Sequence, residues 1–144
     1  MNGAVVYCRT ANGGVGVIEQ QLEKLRWYGK ENGFNITAEY CDCNVSGLDI
    51  DKPELQKLMN DISAGEVDCL IVCDLSRLAR NFLHTNELIG VFDKYGVELI
   101  SVNDGGAIDM EWTKQLSKKF MALAKKELKR LKRKDKQQKL KNRN

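Results

Sequence analysis

Apolar runs typical of β-strands alternate along this chain with segments of helical periodicity. The candidate strands cover residues 4–8, 34–40, 68–73 and 97–102. Helical spacing of apolar residues follows each of them, with helices expected from Val17, Pro53, about Phe82 and Asp109. Alternating strands and helices favour a mostly parallel sheet covered on both faces. We therefore predict an α/β fold with four or five strands in one central sheet, followed by a long basic C-terminal helix.

The expected C-terminal helix carries one apolar stripe on an otherwise basic surface. Its apolar residues are Leu116, Phe120, Leu123, Ala124, Leu128 and Leu131. A stripe of this kind needs cover, which its own sheet, a second copy of the chain or DNA could provide. We predict a homodimer through this helix. The residues after Leu131 are too polar to fold without a partner.

Charge is distributed unevenly along the chain. Residues 114–144 contain 14 Lys and Arg but two Asp and Glu, whereas residues 1–113 contain nine and 18. A basic segment attached to an acidic body favours a nucleic-acid partner, although a solvated tail would have the same composition. We divide the chain into a domain at 1–108 and a basic helix and tail at 109–144. Double-stranded DNA is the predicted partner, contacted by Lys52, Lys125, Lys126, Lys129, Arg130, Lys132 and Arg133.

Composition also excludes several classes of protein. No apolar run is long enough to span a bilayer, and residues 1–3 lead into a strand without a signal-peptide pattern, so we expect a cytoplasmic protein without membrane contact. The five cysteines contain no Cys-x-x-Cys pair, and His84 is the single histidine. We therefore predict no zinc site, no disulfide framework and no cofactor.

The most informative stretch is Cys69–Asn81, where an apolar strand leads into a turn and then a segment of helical character. Arg77 and Arg80 lie three residues apart, a spacing that on a helix places both guanidinium groups on one face. Open α/β sheets bind ligands at the carboxyl ends of their strands. Two forked, permanently charged donors there would suit a phosphate diester. The alternative is an exposed helix with two solvated arginines.

The loop after the first strand contains Gly13, Gly14 and Gly16. These glycines permit positive φ angles and a close approach of backbone or ligand. The spacing lacks the third glycine of a dinucleotide fingerprint, so a nucleotide or other phosphate ligand is a weakly supported third hypothesis.

Several short motifs together resemble the N-terminal catalytic domain of the serine recombinases, the resolvase/invertase family. They occur in the family's order over about residues 3–109, nearest in pattern to the large-recombinase and transposon branch. The motifs are Tyr7-Cys8-Arg9, Ile18-Glu19-Gln20-Gln21, Asp42 to Ser46-Gly47, Lys52-Pro53 and Leu75-Ser76-Arg77-Leu78-Ala79-Arg80-Asn81.

The resemblance implies site-specific DNA recombination through a phosphoserine intermediate. Such chemistry requires a nucleophile and several cations that stabilise the transition state. By matching position, Arg9, Arg77 and Arg80 would bind the scissile phosphate. The resemblance further implies that Gln21 and Ser46 support these arginines, that Asp42 orients them, and that Tyr7 belongs to the site. The family's separate DNA-binding domain is not present in residues 1–144.

Two departures from the family pattern concern the chemistry. The nucleophile position is Ala11, which has no hydroxyl, and Lys52 stands where the family usually has arginine. Thr10 offers the nearest hydroxyl, but neighbouring residues of an extended segment point to opposite sides. We therefore expect a recombinase-type domain without cleavage activity, and whether it is an enzyme stays open. The alternative is a DNA-binding or oligomerisation protein that modulates an active recombinase.

Overall fold

The computed structural model describes residues 2–48 and 52–142, and it has the predicted α/β architecture. The strands are β1 (Asn2–Thr10), β2 (Phe34–Cys43), β3 (Cys69–Val72), β4 (Glu98–Ser101) and β5 (Gly106–Ala107). The helices are α1 (Gly14–Glu31), α2 (Pro53–Ser63), α3 (Phe82–Lys94) and α4 (Met110–Asn142). Two single-turn 3₁₀ helices cover Leu75–Arg77 and Val102–Asp104.

The five strands form one sheet in the order β2-β1-β3-β4-β5. Strands β1 to β4 are parallel, and the two-residue β5 pairs antiparallel to β4. The mostly parallel sheet is therefore confirmed. The sequence pattern around β5 is that of a loop, because a strand of two residues is too short to show an apolar periodicity.

Helices cover both faces of the sheet. The chain crosses the sheet in one direction from β1 to β2 and in the other from β2 to β3 and β4. Right-handed connections therefore place α1 on one face and α2 and α3 on the other. On the α1 face, Ile18, Leu22 and Leu25 pack in one buried cluster with residues of the strands and of the end of β3, among them Ala4, Val6, Cys8, Cys69, Ile71 and Cys73. This packing fixes the carboxyl ends of β1 and β3 beside each other.

The segment after β3 differs from the prediction. Arg77 ends a 3₁₀ turn and Arg80 lies in irregular chain, so the expectation that both arginines share a face of one helix is wrong. Helix α3 begins after them because the Asn81 side chain caps it. The Asn81 Oδ1 accepts hydrogen bonds from the backbone N–H groups of Leu83 at 2.9 Å and His84 at 3.3 Å.

The chain divides into two compact units, Met1–Ile108 and Asp109–Asn144. The second unit contains α4, whose exposed apolar side chains are Phe120, Met121, Leu123, Leu128, Leu131 and Leu140. The side chain of Leu116, part of the predicted stripe, and residues 49–51, between β2 and α2, lie outside the described residues. In the part of the chain that the structure describes, no helix has both the length and the apolarity of a membrane span.

Candidate active site

The site is centred on Arg9, the last residue but one of β1. Its backbone is held by Gln21 of α1. The Arg9 N–H donates to Gln21 Oε1 at 3.2 Å, and Gln21 Nε2 donates to the Arg9 carbonyl at 3.0 Å. Helix α1 thereby fixes the end of β1 through a buried amide side chain. The structure thus brings Gln21, which the resemblance implies is a supporting residue, into contact with the backbone of Arg9.

The Arg9 side chain is buried, with 1% of its surface exposed. Its Nε donates to the Arg77 carbonyl at 3.0 Å, Nη1 to the Val45 carbonyl at 3.0 Å and Nη2 to the Ser76 carbonyl at 2.7 Å. Burial lowers the pKa of the Arg9 guanidinium from its ordinary value, and the charges of Arg77 and Arg80 lower it further. Arg9 therefore joins three chain segments and places a positive charge between them.

Arg77 lies beside Arg9 and is partly exposed, with 28% of its side chain accessible. Its Nη1 donates to the Arg9 carbonyl at 3.0 Å. Its Nε lies 3.5 Å from Asp74 Oδ2 and, among the described residues, has no hydrogen-bond partner. Ser76 Oγ donates to the other carboxylate oxygen of Asp74. No role for Asp74 was expected from the sequence, although this residue lies just before the two arginines.

Arg80 is exposed and lies against the loop after β2. Its backbone N–H donates to the Gly47 carbonyl at 3.2 Å. A Cβ at residue 47 would lie 2.6 Å from Arg80 Cγ and 2.8 Å from Arg9 Nη2, so a side chain there would force one of these arginine side chains to move. Arg9, Arg77 and Arg80 therefore converge, and we refer to them as the arginine site. Two partly or fully exposed guanidinium groups around a buried one form a suitable binding site for an anion.

Ala11 follows directly after β1, two residues beyond Arg9, and is half-buried. Thr10 is 3% exposed, and its Oγ1 donates to the carbonyl of Asn12. The nearest hydroxyl to residue 11 in sequence is therefore buried and engaged with the backbone. This geometry leaves Thr10 poorly placed to attack an external phosphate.

Tyr7 and Asp42 form a buried pair that anchors α2. The Tyr7 hydroxyl donates to Asp42 Oδ2 at 2.7 Å. The two carboxylate oxygens of Asp42 also accept the backbone N–H groups of Glu54 and Leu55, each at 3.0 Å. A carboxylate at this position satisfies the unpaired donors at the amino end of a helix. Burial and the Asp42 hydrogen bond raise the pKa of Tyr7, so its hydroxyl stays protonated. The hydrogen bonds of Asp42 thus connect it to α2 and Tyr7, whereas an orienting contact with the arginines was expected.

The remaining predicted residues are distributed more widely. Ser46 is half-buried, and its Oγ accepts the Leu48 N–H at 3.2 Å. Lys52, expected to contact DNA, is 3% exposed at the start of α2. The basic residues predicted to contact DNA in the second unit are exposed along α4: Lys125, Lys126, Lys129, Arg130, Lys132 and Arg133. In this structure the Lys52 side chain is therefore not accessible to a ligand, whereas the side chains of the α4 residues are.

The glycine loop has a local structural explanation. Gly13 and Gly14 have φ angles of 92° and 66°, and a Cβ at Gly13 would lie 2.5 Å from Val17 Cγ2. The glycines thus allow the tight turn from β1 into α1. The residues described also contain no group of three or more His, Cys, Asp or Glu side chains that could hold a metal ion.

Residues 4–144 match the family described as Resolvase, N terminal domain. This chain belongs to the resolvase family. The resolvase-family relatives include the resolvase of transposon Tn917 from Enterococcus faecalis, which is 29% identical over 84 residues. That match covers 58% of this chain and 41% of the relative, so the chain spans about two-fifths of the length of this curated relative.

Solved structures of resolvase-type proteins share the fold. The N-terminal catalytic domain of TP901-1 integrase aligns with a TM-score of 0.73 and 27% identity, covering 89% of this chain and 98% of that domain. A resolvase family site-specific recombinase from Streptococcus pneumoniae aligns with a TM-score of 0.66 over 88% of this chain and 95% of its own. Its identity of 24% supports the fold alone.

Proposed function

We propose that this chain is a serine-recombinase-type domain that binds a DNA phosphodiester in its arginine site and cannot cleave it. The observation that carries the proposal is the convergence of Arg9, Arg77 and Arg80 beside the end of β1, where Ala11 lacks a hydroxyl. In site-specific recombination of the resolvase type, a serine hydroxyl attacks phosphorus and leaves a phosphoserine link. The cations that would stabilise the transition state are retained, whereas the nucleophile is absent.

The roles of the predicted site residues follow from their contacts. Arg77 and Arg80 would contact the phosphate oxygens, while buried Arg9 holds their backbone segments and supplies charge. Gln21 positions Arg9 through its backbone. Tyr7 and Asp42 hold α2 against the end of β1. Ser46 would help to hold the loop that carries Gly47.

The division into two parts is also a proposal. Residues 1–108 would hold the phosphate, and residues 109–144 would contribute the exposed basic residues of α4 to duplex DNA. Phosphate contacts of this kind supply affinity without sequence preference. A cytoplasmic location stays a prediction.

The direct experiment is the substitution Ala11→Ser. We expect the serine variant to form a covalent protein–DNA adduct at residue 11, and the unsubstituted chain to bind DNA without forming one. Loss of the nucleophile in a covalent mechanism costs on the order of a millionfold in rate. An adduct formed by the unsubstituted chain would reject the proposal and direct attention to Thr10.

A second candidate function is modulation of an active recombinase through association. The exposed apolar residues of α4 favour it, because Phe120 is 47% and Leu128 54% exposed. We expect a homodimer, or a mixed dimer with an active relative, through this helix. Phe120→Asp should shift the chain to monomer in sedimentation experiments, whereas Lys118→Asp on the same helix should not. A monomeric unsubstituted chain at high concentration would contradict this candidate.

A further inference from the structure

Asp74 introduces a negative charge beside the arginine site. Its Oδ2 lies 3.5 Å from Arg77 Nε, and its Oδ1 accepts the Ser76 hydroxyl. Its charge also acts on Arg9, where it favours the protonated guanidinium. Any anion that binds Arg77 must therefore approach a fixed carboxylate as well as three cations.

Arg77 does not depend on Asp74 for its position. The Arg77 Nη1 is held by the Arg9 carbonyl at 3.0 Å, and the Arg77 backbone carbonyl is held by Arg9 Nε at 3.0 Å. The Asp74 contact is longer and leaves Arg77 Nε without a hydrogen-bond partner among the described residues. The main effect of Asp74 on a bound anion is therefore electrostatic.

We infer that Asp74 offsets part of the attraction of the arginine site for doubly charged ligands, so that a singly charged phosphodiester competes better with a doubly charged phosphomonoester than it would without this carboxylate. The inference rests on the proposed function, in which the arginine site holds a phosphodiester. Coulomb repulsion grows in proportion to the ligand's charge, so a carboxylate penalises a dianion about twice as strongly, in free energy, as a monoanion. Such a residue would reduce the advantage that a phosphorylated strand end otherwise has over internal positions of a DNA strand.

The test compares two ligands that differ by one methyl group and one charge. Dimethyl phosphate carries one negative charge, and methyl phosphate carries nearly two at pH 8 because its second pKa is about 6. Binding to the full chain and to Asp74→Asn is followed by NMR titration of the arginine side-chain signals at constant ionic strength. Asn keeps the shape and an acceptor for Ser76, and the amide spectrum reports directly whether the variant is folded. Asp74→Ser provides a second variant if Asp74→Asn does not fold.

We expect Asp74→Asn to raise the affinity for dimethyl phosphate roughly threefold and that for methyl phosphate roughly tenfold, since doubling the ligand charge squares the factor. Asp68→Asn makes the same charge change at the start of β3, at the opposite end of that strand, and should change both affinities little. Equal factors for both ligands, or a loss of affinity, would overturn the inference. Arg77→Gln separates the two claims, because unchanged diester binding in that variant would instead reject the proposed function.

Discussion

Arg9 and Arg77 hold each other through their backbone carbonyls. Arg9 Nε donates to the Arg77 carbonyl at 3.0 Å, and Arg77 Nη1 donates to the Arg9 carbonyl at 3.0 Å. The pair joins the end of β1 to the turn after β3, two neighbouring parallel strands. These hydrogen bonds need both guanidinium groups, so they hold two like charges side by side. Positive charge is thereby pre-organised at the strand ends.

Replacing Arg9 by methionine should destabilise the fold strongly. The carbonyls of Val45, Ser76 and Arg77 would each lose a donor. Because these carbonyls would be left without a partner, we expect the free energy of unfolding to fall by about 3 kcal/mol in total. Urea denaturation measures this loss. Arg26→Met removes an exposed arginine that pairs with Glu39 and serves as the control, which should lose much less. Equal losses in the two variants would show that the Arg9 hydrogen bonds are not structurally important.

A side chain at residue 47 should disrupt the arginine site. In Gly47→Ala the new Cβ would lie too close to Arg80 Cγ and Arg9 Nη2, so one or both guanidinium groups must move. We expect sulfate affinity, measured by NMR titration, to fall about tenfold, equivalent to one charge-assisted hydrogen bond. The matched control is Gly90→Ala in α3, where a Cβ meets open space and should stabilise the helix by about 0.5–1 kcal/mol. Unchanged sulfate binding in Gly47→Ala would contradict this account of the site.

Stability should decline in alkaline solution because of buried thiols. Burial raises the pKa of Cys69 from its ordinary 9.0 to about 12, and the charges of Glu98 and Asp68 add to this shift. The folded state keeps the proton that the unfolded chain releases, so the contribution is complete below pH 9 and is lost as pH rises toward 12. The slope from this thiol is at most about 1.4 kcal/mol per pH unit.

Urea denaturation across this pH range measures the decline. Cys69→Ala should make it less steep, whereas Cys43→Ala, which changes an exposed cysteine, should not alter the slope. A decline that is the same with and without Cys69 would assign the effect to other groups.

DNA affinity should depend steeply on salt because of α4. Lys125, Lys126 and Lys129 are exposed on this helix. Each lysine that contacts a phosphate contributes about 0.9 to the slope of log affinity against log salt, so replacing all three by glutamine should reduce the slope by up to about three. Fluorescence anisotropy with a labelled duplex measures it. The matched control replaces the exposed Lys30, Lys57 and Lys94, which lie outside α4. An equal reduction in the control would show that affinity follows net charge rather than this helix.

The sequence predicts the fold well because the succession of strands and helices follows from local patterns of apolar residues, glycine and proline. Buried strands such as Cys69–Val72 are continuous apolar runs, and Pro53 marks the start of α2. The expectation that one helix carries both Arg77 and Arg80 is wrong, because these residues lie in a 3₁₀ turn and irregular chain that precede the Asn81 cap of α3. The burial of Lys52 and the capping of α2 by Asp42 depend on how separate segments meet, and no local pattern encodes that.

Asp74 and Gly47 illustrate the same limit within the site. Both lie in stretches that the sequence singles out, and an acidic residue directly before an arginine segment is a signal that could have been used. Their effects depend on distances to Arg77, Arg80 and Arg9, which only the folded chain defines.

If the arginine site binds a DNA phosphodiester beside residue 11 and lacks only the nucleophile, a hydroxyl placed at residue 11 should permit cleavage. The decisive experiment is a search for a covalent adduct after incubating Ala11→Ser with a randomised duplex library. Protein-linked DNA is recovered under denaturing conditions, and the linked residue is mapped by mass spectrometry. The proposed function requires a phosphoserine at residue 11, no adduct from the unsubstituted chain, and none from Ala11→Ser combined with Arg77→Gln. An adduct on the unsubstituted chain, an adduct at another residue, or DNA bound by Ala11→Ser without any adduct would contradict it.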